Sequence, residues 1–452
     1  MQNKSYYLLS LGCAKNTVDS ESIAQLLIRD KYSPITDPSQ AEILIVNTCG
    51  FIGPAKEESY LALEQLAEDK QEGQLLIAAG CLSQRYGEEV VQRVPKIDGV
   101  LGTRRWMDIL DLVGKIREKT HPEPIYHLPT EALTVGTDEK NTLRVSADGP
   151  SAYLKIADGC RRPCAFCAIP IIKGTLVSRP VETIVEEAQA LQGMGTRELI
   201  LIAQDTTDYG HDLGIKNGLA HLLEQLSAAA PEIDWIRVMY AYPGYVTDEL
   251  IEVLASNPQV LPYLDIPLQH GDPRTLRRMR RPANIDWVHT TLQKMQHAMP
   301  NLALRTTFIV GYPGETEEEF QSLIDFIEEI RFDRVGAFTF SFEPGTSSEE
   351  LGDPVPEEVK LERLDRLMTL QQRISLEKNQ QFIGQTLDVL IESFSQPEDG
   401  GEQIAIGRSY RDAPEIDGVV LVEGKPPVGE IVPVTISGAL TYDLNGVYFP
   451  PS

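Results

Sequence analysis

Nine short apolar runs alternate along this chain with amphipathic stretches, and that alternation restricts the fold more than any other feature. SYYLLSLG (5–12), AEILIVNT (41–48) and QLLIAAG (74–80) have the continuous hydrophobicity of strands covered on both faces. Helical patterns such as DSESIAQLLIRD and GPAKEESYLALEQLAED lie between them. Residues 1–118 are therefore expected to form an N-terminal parallel α/β sandwich domain, doubly wound, with ligands outside the carboxyl ends of its strands. Six more runs, at 152–157, 198–203, 234–241, 262–266, 302–311 and 334–340, predict a partial (β/α)6 TIM-like barrel over 151–378. Residues 119–150, rich in Pro, Thr and charge, read as a linker with one short strand. An amphipathic helix over 355–382 begins near Pro356, its apolar stripe expected to pack inward. Short strands split by Gly, Pro and Asp then predict a small antiparallel β-barrel over 379–450, which makes the chain α/β as a whole.

Cysteine placement turns this scaffold toward chemistry. DGCRRPCAFCAIP (158–170) puts Cys160, Cys164 and Cys167 in the spacing CxxxCxxC just after the first barrel strand, with no fourth thiol. Iron–sulfur clusters are held by thiolates, and a four-iron cubane on three cysteines keeps one iron open to a small molecule. The competing arrangement is a zinc held by three Cys and a distant His or carboxylate, although the next histidine, His211, is 44 residues beyond Cys167. Cys13, Cys49 and Cys81 follow or end the first three strands, so a doubly wound sheet would bring them to one rim. Taken one at a time, each would read as a buried core cysteine. Together they repeat the same three-thiol arithmetic and suggest a second cluster with a second open iron.

Composition restricts the partners. A formal net charge of −26 argues against broad adhesion to nucleic acid or anionic lipid and favours a basic partner. No run approaches the roughly 18–20 apolar residues of a membrane span, and the first residues lack a signal peptide's apolar length, so a cytoplasmic location is expected. Six cysteines in such a chain should be reduced thiols.

CxxxCxxC, with the aromatic Phe166 before its last cysteine and a six-unit barrel around it, resembles the radical S-adenosylmethionine (SAM) superfamily. With LGCAKNTVDSE, VNTCGF and AAGCL added, the sequence resembles the methylthiotransferases over essentially its whole length. That resemblance implies a two-layer amino-terminal domain with one 4Fe-4S cluster on Cys13, Cys49 and Cys81. It also implies a radical-SAM barrel with a second cluster on Cys160, Cys164 and Cys167, and a terminal TRAM barrel for substrate. SAM is used twice: a sulfur on the first cluster takes its methyl group, and a radical made at the second removes hydrogen from the substrate carbon, which captures the methylthio group. An external electron donor and a sulfur donor are implied as well.

GCAKNTVDSE, SRPVETIVEEA, AQDTTDYGHDLG, DIPLQHGDPRTLRRMRRP and TTFIVGYPGETEEEF resemble the branch that modifies the β-carbon of an aspartate in small-subunit ribosomal protein uS12, expected to be met on the ribosome or small subunit. The tRNA-adenosine branch is the alternative, and a two-cluster electron carrier is a more distant one. Charge separates the first two: residues 380–452 hold 11 Asp and Glu against 3 Lys and Arg, net −8, where a tRNA surface would need cations.

Weaker candidates complete the reading. RTLRRMRRP carries Arg274, Arg277, Arg278, Arg280 and Arg281, one of which is expected to reach the active site. Gln269 and Arg305, taken as strand ends, are candidate SAM contacts. The glycines of GYPGE (311–315) would let backbone approach the adenosine. His270 reads either as a switchable acid or as a satisfied strand-end histidine. Asn47 is placed to orient the loop of Cys49.

Overall fold

The computed structural model describes residues 4–130, 140–395 and 403–450; residues 131–139 of the expected linker lie outside them. The first sheet contains β1 (Ser5–Ser10), β2 (Ser33–Pro34), β3 (Ile43–Thr48), β4 (Leu75–Gly80), β5 (Gly99–Gly102) and β6 (Ile125–His127), in the order β2-β1-β3-β4-β5-β6. Every pairing is parallel. Helices α1 (Ala14–Arg29) and α4 (Ile109–Glu118) cover one face through Ile23, Leu26, Leu27 and Leu112. Helices α2 (Gly53–Asp69) and α3 (Cys81–Arg93) cover the other through Tyr60, Leu63, Leu82 and Val90. Three layers result, not the two that the resemblance implied, because every residue of β3 is buried and both of its faces need a cover. The strand order reverses between β1 and β3, and such a switch point is where an open sheet binds its ligand.

Residues 119–150 are shared between two sheets: β6 ends the first, and β7 (Val145–Asp148) edges the second. There β7 pairs antiparallel with β8 (Ser151–Lys155). After the short antiparallel pair β9 (Ala157–Asp158) and β10 (Val177–Ser178), the sheet continues in parallel through β11 (Glu198–Ile202), β12 (Trp235–Val238), β13 (Val260–Asp265), β14 (Ala303–Val310) and β15 (Arg334–Thr339). Six parallel strands that do not close make the expected partial barrel. Helices α5 (Ile169–Lys173), α6 (Val181–Gly193), α7 (Gly218–Ala229), α8 (Asp248–Ser256), α9 (Pro273–Arg278), α10 (Ile285–Ala298) and α11 (Glu317–Ile330) connect them.

Helix α12 (Glu357–Gln380) packs inward, but its buried stripe is mostly polar: Lys360, Arg363, Gln371, Ser375 and Asn379 flank Leu367 and Ile374. It docks by bonding buried backbone carbonyls just before β15, as Gln371 Nε2 donates to Phe332 O (2.9 Å) and Ser375 Oγ to Asp333 O (3.1 Å). The chain ends in a closed five-stranded barrel of β16 (Thr386–Phe394), β17 (Ala405–Ser409), β18 (Val420–Glu423), β19 (Ile431–Ala439) and β20 (Leu444–Tyr448), in which only β18 and β20 pair parallel. Its charged residues seal the lower end of the large barrel: Arg408 to Glu198 (2.6 Å), Asp412 to Arg334 (2.5 Å) and Asp417 to the Tyr263 hydroxyl (2.7 Å). No helix among the described residues is long and apolar enough to cross a membrane.

Candidate active site

Cys13 caps α1, Cys49 follows β3 and Cys81 opens α3, so the first triplet occupies the switch point of the first sheet. Close backbone packing brings the three loops together. Gly12 (φ +92°) leaves no room for a side chain, since a Cβ would stand 2.8 Å from that of Cys49. Asn47, expected to orient the loop of Cys49, ties the end of β3 to α1 instead: its Nδ2 donates to Asn16 O (3.0 Å) and Ser20 Oγ (2.8 Å). Asn16 Nδ2 answers with bonds to Leu11 O (2.7 Å) and Asn47 O (2.9 Å). Ser59 Oγ accepts from the Cys49 amide (2.9 Å) and donates to its carbonyl (3.0 Å). Burial, reinforced by the neighbouring thiols, pushes Cys49 up to about 11 and Cys81 up to about 12, while the Lys173 ammonium pulls Cys81 down.

The second triplet hangs on the loop after β9. Gly159 (φ +75°) lies against Thr175 O, and the Cys160 amide donates to Gly174 O (3.1 Å). Phe166 packs with Met279, Tyr312 and Phe340, so the aromatic before Cys167 anchors the loop. Each sulfur accepts a bond: Cys160 from the Arg162 amide (3.4 Å), Cys167 from the Ile169 amide (3.5 Å), and Cys164 from Arg281 Nη1 (3.4 Å), with Tyr242 Oη 3.7 Å away. Burial pushes Cys160 up to about 11 and Cys167 up to about 12. All six cysteines are free. Among the described residues no three His, Cys, Asp or Glu side chains are drawn in as the ligand set of a single ion. Two sets of three free thiols, the second with a backbone or guanidinium donor at each sulfur, fit the donor set of site-open 4Fe-4S clusters.

The two rims face each other. Gly53 N and Lys56, from the start of α2, meet Ser341 Oγ (3.4 Å) and Glu343 (3.1 Å) beyond β15; Arg85 of α3 also reaches Glu343 (2.6 Å). Arg104, after β5, donates to Ile172 O (3.0 Å), five residues beyond Cys167. Between the triplets lies a buried ionic hub. Asp19 of α1 takes Arg144, Lys155 Nζ (2.7 Å) and Lys173 Nζ (2.7 Å), while Asp158, two residues before Cys160, takes Lys155 (2.5 Å) and Lys173 (3.5 Å). Burial alone would raise the Asp19 carboxyl; its three cations hold it far below the usual range.

Among the weaker candidates, Arg281 is the arginine of its run that reaches the site, held also by Pro267 O and stacked on the Tyr242 ring (4.2 Å). Arg274 and Arg278 pair with Asp272 and Glu319, and Arg280 with Ser347. Gln269 sits at the upper rim, bonded through its backbone to Thr307 O (2.8 Å) and the Ile309 amide (2.9 Å), in a left-handed conformation (φ +76°). Arg305 is not at a strand end: it is the third residue of β14, deep in the barrel, paired with Asp265 (2.9 Å) and Asp417 (3.3 Å). Gly311 makes room for Lys360 of α12. His270 Nδ1 accepts the Asp272 amide (2.9 Å) and burial pulls the ring down to about 4, which keeps it neutral near pH 7, but its buried Nε2 has no hydrogen-bond partner among the described residues, so it is not the fully satisfied histidine of the second reading. Sequence reasoning missed Lys15, Asp19, Asp158, Tyr240 and Tyr242. Only Asp19 carried a signal, as an acid amid the apolar positions of α1.

Two facing thiol triplets, one of them in CxxxCxxC spacing above an open parallel barrel, define the class as radical-SAM enzymes. The radical SAM superfamily matches residues 154–327, the uncharacterized protein family UPF0004 residues 5–102, and the TRAM domain residues 383–448. The ribosomal protein uS12 methylthiotransferase RimO of Chloroflexus aurantiacus is 46% identical over 98% of this chain and 99% of its own length. Those of Herpetosiphon aurantiacus (45%; 98% and 99%) and Synechocystis sp. (44%; 97% and 96%) are similarly close. The chain belongs to the RimO family of methylthiotransferases, which use SAM and two 4Fe-4S clusters. Among solved structures, the radical SAM methyltransferase TsrM of Kitasatospora setae superposes with a TM-score of 0.56 over 85% of this chain and 77% of its own; at 12% identity this is a likeness of fold alone.

Proposed function

We propose that this enzyme methylthiolates the β-carbon of an aspartate in ribosomal protein uS12, with Cys13, Cys49 and Cys81 holding one 4Fe-4S cluster and Cys160, Cys164 and Cys167 the other. The carrying observation is that α2, α3 and the segment after β5 contact the loops after β15 and after Cys167, which supports both triplets opening on one junction. When bound, the clusters supply electron transfer to SAM and a site for sulfur. The protein's own part is positional: Arg281 and Tyr242 approach Cys164, the two asparagines lock the loops of Cys13 and Cys49 together, and the hub fixes α1 over the barrel. Electron and sulfur donors are external.

The exterior of the terminal barrel supports a basic protein substrate over tRNA. Arg408 and Arg411 are buried, and among the described residues Asp388, Glu415, Glu423 and Glu430 are exposed beside Lys425. Anaerobically reconstituted enzyme, given SAM and a reductant, is offered uS12 or tRNA and the products are weighed by mass spectrometry. A methylthio adduct on a uS12 aspartate is expected; an adduct on tRNA adenosine alone would overturn the reading.

A further inference from the structure

We propose that Lys15 is a specificity residue, receiving the carboxylate of the target aspartate; this rests on the substrate reading above. Lys15 lies two residues beyond Cys13, in the first turn of α1, half-buried between the amino-terminal triplet and the mouth of the barrel. Its ammonium stands 3.2 Å from the centre of the Tyr240 ring, two residues past the carboxyl end of β12. Tyr240 is held at φ +60°, a left-handed conformation that a tyrosine adopts only where its surroundings fix it. The cation is thus fixed in place from both domains.

Among the described residues, charge accounting at this junction leaves Lys15 and Arg281 without a carboxylate, and Arg281 already donates to a cysteine sulfur and a backbone carbonyl. Arg162 is matched by Asp205 (2.6 Å), Arg305 by Asp265 and Asp417, and Lys173 by Asp19 and Asp158. No carboxylate among the described residues stands within 4.0 Å of Lys15, in a chain with 67 acidic residues to choose from. Asp265, whose charge reaches Lys15 from beyond ion-pair distance, already serves Arg305 (2.9 Å) and the Tyr240 amide (3.4 Å). An aspartate side chain carried into this junction must exchange water for a counter-charge. The β-carbon is one bond from the carboxylate carbon, so anchoring the carboxylate on Lys15 also fixes the β-hydrogen between the two triplets.

The test uses cluster-loaded enzyme under anaerobic conditions and fluorescent uS12 peptides carrying either Asp or Asn at the modified position, with affinity read by anisotropy. Wild type should prefer the Asp peptide by about tenfold or more. Lys15→Met should bind both peptides alike, and Lys15→Arg should keep part of the preference. Iron and sulfide content matching wild type shows that a variant is folded and loaded; should Lys15→Met fail that check, Lys15→Gln makes the same comparison. A Lys15→Met that discriminates as well as wild type overturns the role. So does a variant that weakens SAM binding alone, because Lys15 would then serve the SAM carboxylate. A wild type blind to Asp against Asn overturns this role, whereas the substrate reading falls only if the mass-spectrometric test finds the adduct on tRNA alone.

Discussion

Arg281 and Arg277 are four residues apart in one basic run, yet one donates to a cysteine sulfur and the other is exposed. Donors at sulfur stabilise the more negative, reduced form of a cluster, so they raise its potential. Arg281→Lys should lower the potential of the cluster proposed on Cys160, Cys164 and Cys167 in an EPR-monitored redox titration and reduce turnover by about 10–100-fold. Arg277→Lys should change turnover by less than about twofold. His270 illustrates a different residue-scale effect. Its folded pKa, about 4, lies below the unfolded value of about 6.5, so acid favours the unfolded chain. Its contribution is full above pH 6.5 and is lost as pH falls through 4. Between pH 7 and pH 5 the stability of wild type relative to His270→Asn should drop by about 1–2 kcal/mol, measured by denaturant midpoints at each pH.

At the scale of elements, the chemistry depends on how strands end. β4 stops at Gly80 with φ +97°, and a Cβ there would lie 2.6 Å from Thr48 O and crowd Asn47 Oδ1. Gly80→Ala should therefore push the loops of Cys49 and Cys81 apart. It should cost more than about 2 kcal/mol and remove one cubane's worth of iron while leaving the other, as iron analysis would show. Helix α11 gives the contrast. Thr316 and Glu319 form a reciprocal capping box beneath the GYPGE turn, and Thr316→Ala should cost about 1 kcal/mol in denaturant unfolding with full iron retained.

For the molecule as a whole, the decisive contact is the docking of α1 on the barrel. Asp19 and Asp158 hold three buried cations, and each of the five side chains is at most 5% exposed. Asp19→Asn leaves Arg144, Lys155 and Lys173 sharing one carboxylate. Removing one member of such a set costs about 3–5 kcal/mol, and the denaturant midpoint of the holoenzyme should fall accordingly. If the hub also keeps the rims aligned, methylthiolation should fall further than SAM cleavage does.

The strands and the cysteine loops were legible in the sequence because each depends on local periodicity or on spacing within a few residues, whereas the packing of Phe166 against Met279, Tyr312 and Phe340 was not. The six barrel strands fall within three residues of where their apolar runs place them. Facing partners were not legible. Asp19 meets Lys173 from 154 residues away, Lys15 meets Tyr240 across a domain boundary, and Arg305 proves to lie deep in β14 only once register is known. Periodicity says which face of an element turns inward; what that face meets depends on how separately folded sheets dock, and a buried charge takes its meaning from the counter-charge that docking delivers.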